Sequence, residues 1–150
     1  MKLKLPPVVV LGIFALLMFL CVKVLPFGNF NFFGRIYLMY VLLSVALLIG
    51  FFAVAQFYTQ KTTVDPMNPN KVSSLVTGGL YKFSRNPMYL AMLLVLISFC
   101  LWLGNAFNSL LIAGFVHFMN KFQIIPEEEI LSNHFGKAYK AYCAKVRRWF

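Results

Sequence analysis

The chain has 150 residues, of which 61% are hydrophobic and 12% are charged. A soluble domain carries about 25% charged residues. Because the apolar residues here come in long runs, the composition excludes an ordinary soluble domain and predicts a membrane protein. The formal net charge is +10, and the basic residues flank apolar runs. We therefore expect membrane lipids, and no nucleic acid, as their partner.

The N-terminus has the order of a signal peptide, with Lys2 and Lys4 before an apolar run. That run is longer than a usual signal-peptide core and lacks a clear cleavage pattern of small residues. We therefore interpret it as a retained first span. The three cysteines are Cys21, Cys100 and Cys143. Their spacing fits no metal site or disulfide framework, so we interpret them as packing residues.

Four apolar segments predict four transmembrane helices. They cover residues 6–25, 36–58, 87–103 and 107–125. The last two are slightly shorter than the ~20 residues that a span needs, and the Gly104–Asn105 turn between them predicts a tight hairpin. Residues 127–149 predict one further helix of mixed character. The expected fold is a single all-α, polytopic membrane domain over residues 1–150, with about four spans and a C-terminal cytoplasmic interfacial helix.

The basic residues predict the orientation of the spans. They concentrate before the first span, between the second and third, and after the fourth, whereas only Lys23 and Arg35 flank the loop between the first two. The positive-inside rule therefore predicts that both termini lie in the cytoplasm. We expect an integral protein of a bacterial inner membrane.

Three of the four acidic residues are consecutive, Glu127 to Glu129. One interpretation is structural, because Pro126 suits the start of a helix and carboxylates stabilise a helix N-terminus. That interpretation does not explain why nearly all the acid of the chain stands at one membrane edge. Carboxylates near a bilayer are costly and often functional, which favours a functional role.

The segment Arg85-Asn86-Pro87-Met88-Tyr89 opens the third span. Asn86 and Pro87 are favourable residues at a helix start, and Arg85 and Tyr89 are typical of a membrane interface. The same arrangement also has a functional interpretation. A helix N-terminus beside an arginine binds a carboxylate or a phosphate.

Two further segments have open alternatives. Residues 73–81 form either an interfacial turn or a flap over a cofactor, since Gly78-Gly79 permits close backbone approach and Tyr81 can stack. On the fourth span, a stripe at helical spacing contains three polar residues and one apolar one, His117, Asn120, Lys121 and Ile124. They line a wet cavity that serves the substrate, or else Lys121 snorkels to the interface and His117 hydrogen-bonds another helix.

Together these segments resemble the membrane methyltransferases related to isoprenylcysteine carboxyl methyltransferase and phospholipid N-methyltransferase. The matching residues are Leu75-Val76-Thr77-Gly78-Gly79-Leu80-Tyr81, Arg85-Asn86-Pro87-Met88-Tyr89, Pro126-Glu127-Glu128-Glu129, Phe135-Gly136, Tyr139, Tyr142 and Val146-Arg147-Arg148-Trp149. Each motif is weak alone, but their order and spacing around a two-span hairpin are specific. The likeness covers about half of the chain, and the first two spans match only in being apolar.

The resemblance implies S-adenosylmethionine as the cofactor, bound at the cytoplasmic face, and a lipid-soluble methyl acceptor. The residues that it implies for cofactor binding are Ser73, Ser74, Leu75, Val76, Tyr81, Asn86, Pro87, Tyr89 and Glu128. Arg85 and Glu127 are the expected catalytic residues, and His117 and Lys121 are expected to serve the substrate. Glu127 or His117 would take the proton of an amine acceptor, whereas Lys121 or Arg85 would hold an anionic one.

Two positions depart from the family pattern. Asn86 stands where many members have histidine, although asparagine also occurs in bacterial-type relatives. Ile124 stands near the position of an arginine that serves the substrate carboxylate in the prenylcysteine enzymes, which argues against that substrate. Two other functions stay open. They are an NADPH-dependent membrane reductase, for which the chain is short, and a non-catalytic membrane subunit.

Overall fold

The structure of the protein, a computed structural model, describes residues 5–25, 27–56 and 75–150, together with the helical backbone of residues 57–59. The described residues form six α-helices. These are α1 Pro7–Val24, α2 Arg35–Thr59, α3 Pro87–Leu103, α4 Asn108–Met119, α5 Ile125–Phe135 and α6 Lys137–Lys145. A π-helical segment, Asn120–Ile124, joins α4 to α5, and a 3₁₀ turn, Gly79–Lys82, precedes α3. The expected all-α class is confirmed for these parts of the chain.

Helices α1 and α2 are long and apolar enough to cross a membrane, judged by length and composition. Many of their large apolar side chains are exposed, including Leu16, Leu47 and Phe51, so these helices need an apolar surrounding. Helix α3 is also apolar but has only 17 residues, and α4 has 12. Four membrane spans therefore remain a prediction.

Helices α2 and α3 pack closely because small residues face the contact. Ala46 and Ala53 of α2 are buried with no more than 1% exposure. A Cβ atom built on Gly50 would lie 3.6 Å from the Cβ of Ala91 in α3. Small residues at this spacing let two helix backbones approach, which is how helices associate in a membrane. The close contact fixes the position of α3, whose N-terminus opens the site described below.

The remaining core lies between α1, α3 and α4. Met18, Leu96, Phe115 and Met119 have no exposed surface. The rings of Phe14 and Phe115 meet edge to face with their centroids 5.5 Å apart, a favourable aromatic geometry. This core gives α3 a second packing surface besides its contact with α2.

The turns between α1 and α2 and between α3 and α4 meet at one end of the bundle, here called the turn end. Gly104 ends α3 with a φ of 66°, a left-handed conformation that favours glycine, so the expected Gly104–Asn105 turn is confirmed. The N–H of Phe30 donates to the Gly104 carbonyl at 2.8 Å. The Asn105 side chain donates to the carbonyl of Phe27 at 3.0 Å.

The C-terminal region differs from the expected single helix over residues 127–149. Gly136, with φ 51° and ψ −117°, separates α5 from α6. Helix α6 ends at Lys145, and Val146 has an extended backbone. Residues 146–149, here called the C-terminal strap, then return across the start of α3. The expectation of one helix was wrong because glycine readily adopts a positive φ and so ends a helix.

Candidate active site

Arg85, Glu127, Glu128 and the start of α3 lie at the end of the bundle opposite the turns, here called the site end. Helix α3 begins there, α5 follows the π-helical segment there, and α6 and the C-terminal strap lie against both. Pro87 starts α3 and is fully buried. Pro126 occupies the first turn of α5, with Glu127 and Glu128 beside it. Two helix starts thus bring a basic segment and an acidic segment together, as the sequence predicts.

Glu128 is the centre of an ion-pair cluster. Arg148 donates to both of its carboxylate oxygens, from Nε at 3.0 Å and from Nη2 at 2.7 Å. The Nη1 atom of Arg85 lies 3.4 Å from Oε1 of the same carboxylate. The side chains of Arg85 and Glu128 are 15% and 19% exposed, whereas that of Arg148 is 34% exposed. One carboxylate therefore carries two cations, and the pair with Arg148 raises the pKa of that guanidinium.

Arg85 has hydrogen-bonding capacity left over. Its Nη1 atom donates to the Cys143 sulfur at 2.6 Å. Its Nε atom is buried and finds no hydrogen-bond partner among the residues that the structure describes. Because a buried donor without a partner is costly, this atom is suited to an acceptor group of a ligand.

Glu127 points to a different partner. The Tyr89 hydroxyl donates to Oε1 of Glu127 at 2.5 Å. Burial raises the pKa of Glu127 to about 7; the neighbouring Glu128 also raises it, and the hydrogen bond from Tyr89 lowers it. A carboxyl group with a pKa near neutrality can both accept and release a proton at physiological pH.

Asn86 occupies the N-cap position of α3 as expected, but its side chain makes no capping hydrogen bond. Its Nδ2 atom donates instead to the carbonyl of Arg148 at 3.0 Å, and no side chain caps the helix start. The backbone N–H of Asn86 donates to the Ser84 hydroxyl at 3.1 Å. The first N–H groups of α3 consequently remain available to an anion.

The segment before α3 packs against α6. Val76 and Tyr81 are buried, and Leu75 is half-buried. The Tyr142 hydroxyl donates to the Tyr81 carbonyl at 2.6 Å, and burial raises the pKa of Tyr142 to about 12. A pocket of about 460 Å³ lies between this segment and α6. Its lining residues are Thr77, Lys82, Ala138, Ala141, Tyr142, Lys145 and Val146. The expected cofactor contacts Ser73 and Ser74 lie outside the described residues.

His117 and Lys121 do not join this cluster. Both are exposed on the surface of the helix that α4 and the π-helical segment form. The Nζ atom of Lys121 lies 5.5 Å from the ring centre of Phe122. Ile124 is fully buried in the core, because the π-helical segment adds a residue to the turn and breaks the expected stripe. The position of Lys121 favours snorkelling, and a substrate role for either residue stays a prediction.

Three residues at this site carry contacts that the sequence did not predict. Arg148 binds Glu128, Cys143 contacts Arg85, and Tyr142 holds the Tyr81 carbonyl. The contact with Arg85 shows that Cys143 is more than a packing residue. No local signal singles out Arg148, since several bases follow Glu128 in the chain and any of them could pair with it.

A model of the phospholipid methyltransferase family matches residues 35–138. The chain belongs to this family. The matched region runs from the start of α2 into α6, so it includes the second apolar segment and ends before the C-terminal strap. Family membership and the apolar helices α1 and α2 together identify a membrane protein of a methyltransferase family.

An uncharacterized protein of Haemophilus influenzae is similar to part of the chain. The two are 47% identical over 62 residues, which is 41% of this chain and 98% of the relative. The name of this relative states no function. No solved structure matches the chain.

Proposed function

We propose that this protein transfers a methyl group from S-adenosylmethionine to a membrane-embedded or amphipathic acceptor at the cytoplasmic face. One observation carries the proposal. In a member of the phospholipid methyltransferase family, Arg85, Glu127 and Glu128 converge at the start of α3 although they are some forty residues apart in the chain.

The residues of the site fit the charged ends of this cofactor. The unpartnered Nε atom of Arg85 and the uncapped start of α3 suit its carboxylate. The Glu128 carboxylate suits its ammonium group. The apolar and aromatic residues that are expected to contact the cofactor would exclude water from it. They are Leu75, Val76, Tyr81, Pro87 and Tyr89. The expected contacts Ser73 and Ser74 remain part of this proposal.

Methyl transfer needs few chemical groups from the protein. The cofactor, when bound, supplies an electrophilic methyl group for an in-line displacement, which depends on the positioning of the reactants. An amine acceptor must also lose a proton. Glu127 can take it, because its pKa lies near 7 and Tyr89 occupies only its Oε1 atom.

The charge distribution supports a cytoplasmic site. The described basic residues at the site end are Lys82, Arg85, Lys121, Lys137, Lys140, Lys145, Arg147 and Arg148, whereas Lys23 and Arg35 flank the turn end. Basic residues favour the cytoplasmic side of a membrane. Exposed on the outer surface of α4 and the π-helical segment, His117 and Lys121 would meet an acceptor that arrives laterally from the bilayer.

Calorimetric titration of the purified protein with S-adenosylmethionine tests the site. We expect the wild-type protein to bind it, and Arg85→Ala and Glu128→Gln each to weaken binding at least about tenfold, the loss typical of a charge-assisted hydrogen bond. Glu129→Gln is the matched control, because Glu129 is the exposed neighbour in the same acidic run. Binding of NADPH in place of S-adenosylmethionine, or full affinity in both variants, would refute the assignment.

A further inference from the structure

The C-terminal strap is fastened to the segment that precedes α3. The backbone N–H of Arg85 donates to the carbonyl of Arg147 at 3.0 Å. The carbonyl of Arg148 accepts from Asn86 Nδ2 at 3.0 Å and from the Ser84 hydroxyl at 3.4 Å. The strap thus crosses the entrance to the helix start where the anion of a ligand is expected.

The strap is also anchored at both of its ends. Val146 is buried with 8% exposure. The indole N–H of Trp149 donates to Asn120 Oδ1 at 3.1 Å, and the ring packs against the hydrophobic core. None of these contacts involves the guanidinium of Arg148. The strap backbone can therefore stay in place while that side chain moves.

The two arginines that pair with Glu128 differ in how easily each side chain can break its ion pair. The side chain of Arg85 is 15% exposed and also contacts Cys143. That of Arg148 is 34% exposed, and its guanidinium occupies both carboxylate oxygens of Glu128. Rotation of Arg148 toward solvent replaces its ion pair with hydration, so this exchange costs little for a partly exposed pair. The less exposed side chain of Arg85 cannot rotate into solvent in the same way.

We propose that Arg148 is an internal counterion that competes with the ammonium group of the ligand for Glu128. A third cation beside one carboxylate meets like-charge repulsion, and Arg148 already donates to both oxygens in the geometry that a guanidinium favours. The ammonium therefore binds only after Arg148 has turned away. This inference rests on the proposed function and makes Arg148 a gate on the amino-acid end of the cofactor site. Arg148 lies beyond the matched residues 35–138.

The test compares Arg148→Gln with Arg147→Gln by titration with S-adenosylmethionine. Both substitutions remove one charge from the strap, but Arg147 is exposed and its side chain has no role in the proposed exchange. We expect Arg148→Gln to bind on the order of five-fold more tightly, the scale of a partly exposed ion pair. Arg147→Gln should stay within about twofold of the wild type. Arg148→Lys keeps the charge and loses the two-point contact, so its affinity for S-adenosylmethionine should lie between those of Arg148→Gln and Arg147→Gln.

A second ligand separates competition for Glu128 from a general opening of the strap. 5′-Methylthioadenosine keeps the adenosine and the sulfur but has no ammonium group. Its affinity should be the same in the wild type and Arg148→Gln. Equal tightening for both ligands would overturn the inference, because it would indicate a loosened strap instead of a vacated carboxylate.

The outcomes also distinguish this inference from the proposed function. If the wild type binds S-adenosylmethionine and Arg148→Gln binds it equally or more weakly, Arg148 positions Glu128 and only the competition is wrong. If only Arg148→Gln binds, the competition is strong and both proposals are supported. If neither binds while Arg148→Gln keeps the melting profile of the wild type, both proposals fail.

Discussion

The Tyr89 hydroxyl and Oε1 of Glu127 lie 2.5 Å apart and join α3 to α5 across the site end. The bond couples a residue of the apolar third segment to a carboxyl group whose pKa burial raises to about 7. Because the donor stabilises the ionised carboxylate, Tyr89 lowers the pKa of Glu127 against the effect of burial. Tyr89 therefore extends to lower pH the range in which ionised Glu127 can accept a proton.

The rate of methyl transfer to an amine acceptor should rise with pH through about 7, as Glu127 ionises. In Tyr89→Phe the same rise should occur at higher pH, since the bond that favours the carboxylate is gone. In Glu127→Gln the acidic limb should disappear and the rate at pH 8 should fall at least about a hundredfold, the usual contribution of a general base. Initial rates between pH 5 and 9 check this, with Glu129→Gln as the control. An unchanged acidic limb in Glu127→Gln would exclude Glu127 as the base.

Glu127 also makes stability depend on pH. Its pKa in the folded protein lies above the ordinary value of 4.5, so the folded state holds more protons than the unfolded state between the two values. Stability should therefore fall as the pH rises from about 4.5 to about 7 and should not change further above that range on account of this group. Thermal unfolding in detergent should show a smaller fall for Glu127→Gln over this range. An identical pH dependence in both proteins would contradict the raised pKa.

Gly136 permits the sharp break between α5 and α6. Its φ of 51° and ψ of −117° are accessible to glycine and strained for other residues. Gly136→Ala should lower stability by about 1–2 kcal/mol and weaken cofactor binding, because α6 carries Cys143 and Tyr142 to the site. Gly12→Ala within α1, where a Cβ meets no atom within 4 Å, is the control and should not destabilise. Melting curves and cofactor titrations of both variants test this prediction. If Gly136→Ala and Gly12→Ala changed the stability equally, a backbone at position 136 that requires glycine would be contradicted.

Asn105 holds the turn end together without reaching the site. It is fully buried, its Nδ2 atom donates to Phe27, and its Oδ1 accepts from the backbone of Phe107. Asn105→Ala should lower stability by about 2 kcal/mol, since it leaves buried groups without partners, and should leave the affinity for S-adenosylmethionine unchanged. The exposed Asn133→Ala serves as the control for thermal unfolding. A large loss of cofactor affinity in Asn105→Ala would show that the two ends are coupled.

Residues that act on their own backbone predicted where helices begin and end. Contacts between residues far apart in the chain were harder to predict. Pro87 begins α3 and Gly104 ends it as expected, because each residue acts on its own backbone. Arg85 and Glu128 were also expected at one site, from the resemblance to the family, and the structure brings them together. The gathering of the other expected cofactor contacts into one site stays a prediction.

The pairing of Arg148 with Glu128 could not be predicted, because it depends on the path of residues 146–149 across α3 and no local pattern encodes that path. The break at Gly136 has a local signal, since glycine is the usual residue where a helix ends, but residues 127–149 were expected to form one helix. His117 and Lys121 share an exposed helix face, as their spacing of four residues predicts, but that spacing does not reveal what the face meets. The burial of Ile124 was not predicted, because the π-helical segment Asn120–Ile124 departs from the ordinary helical period.

The most direct measurement is the transfer of a labelled methyl group from S-adenosylmethionine to lipid by the purified protein in liposomes made from a bacterial lipid extract. Label should appear in the organic phase with the wild-type protein, and it should fall to background with Glu128→Gln and remain with Glu129→Gln. Mass spectrometry of the labelled product would then identify the acceptor. Absence of labelled lipid with a wild-type protein that binds S-adenosylmethionine would contradict methyl transfer to a membrane acceptor.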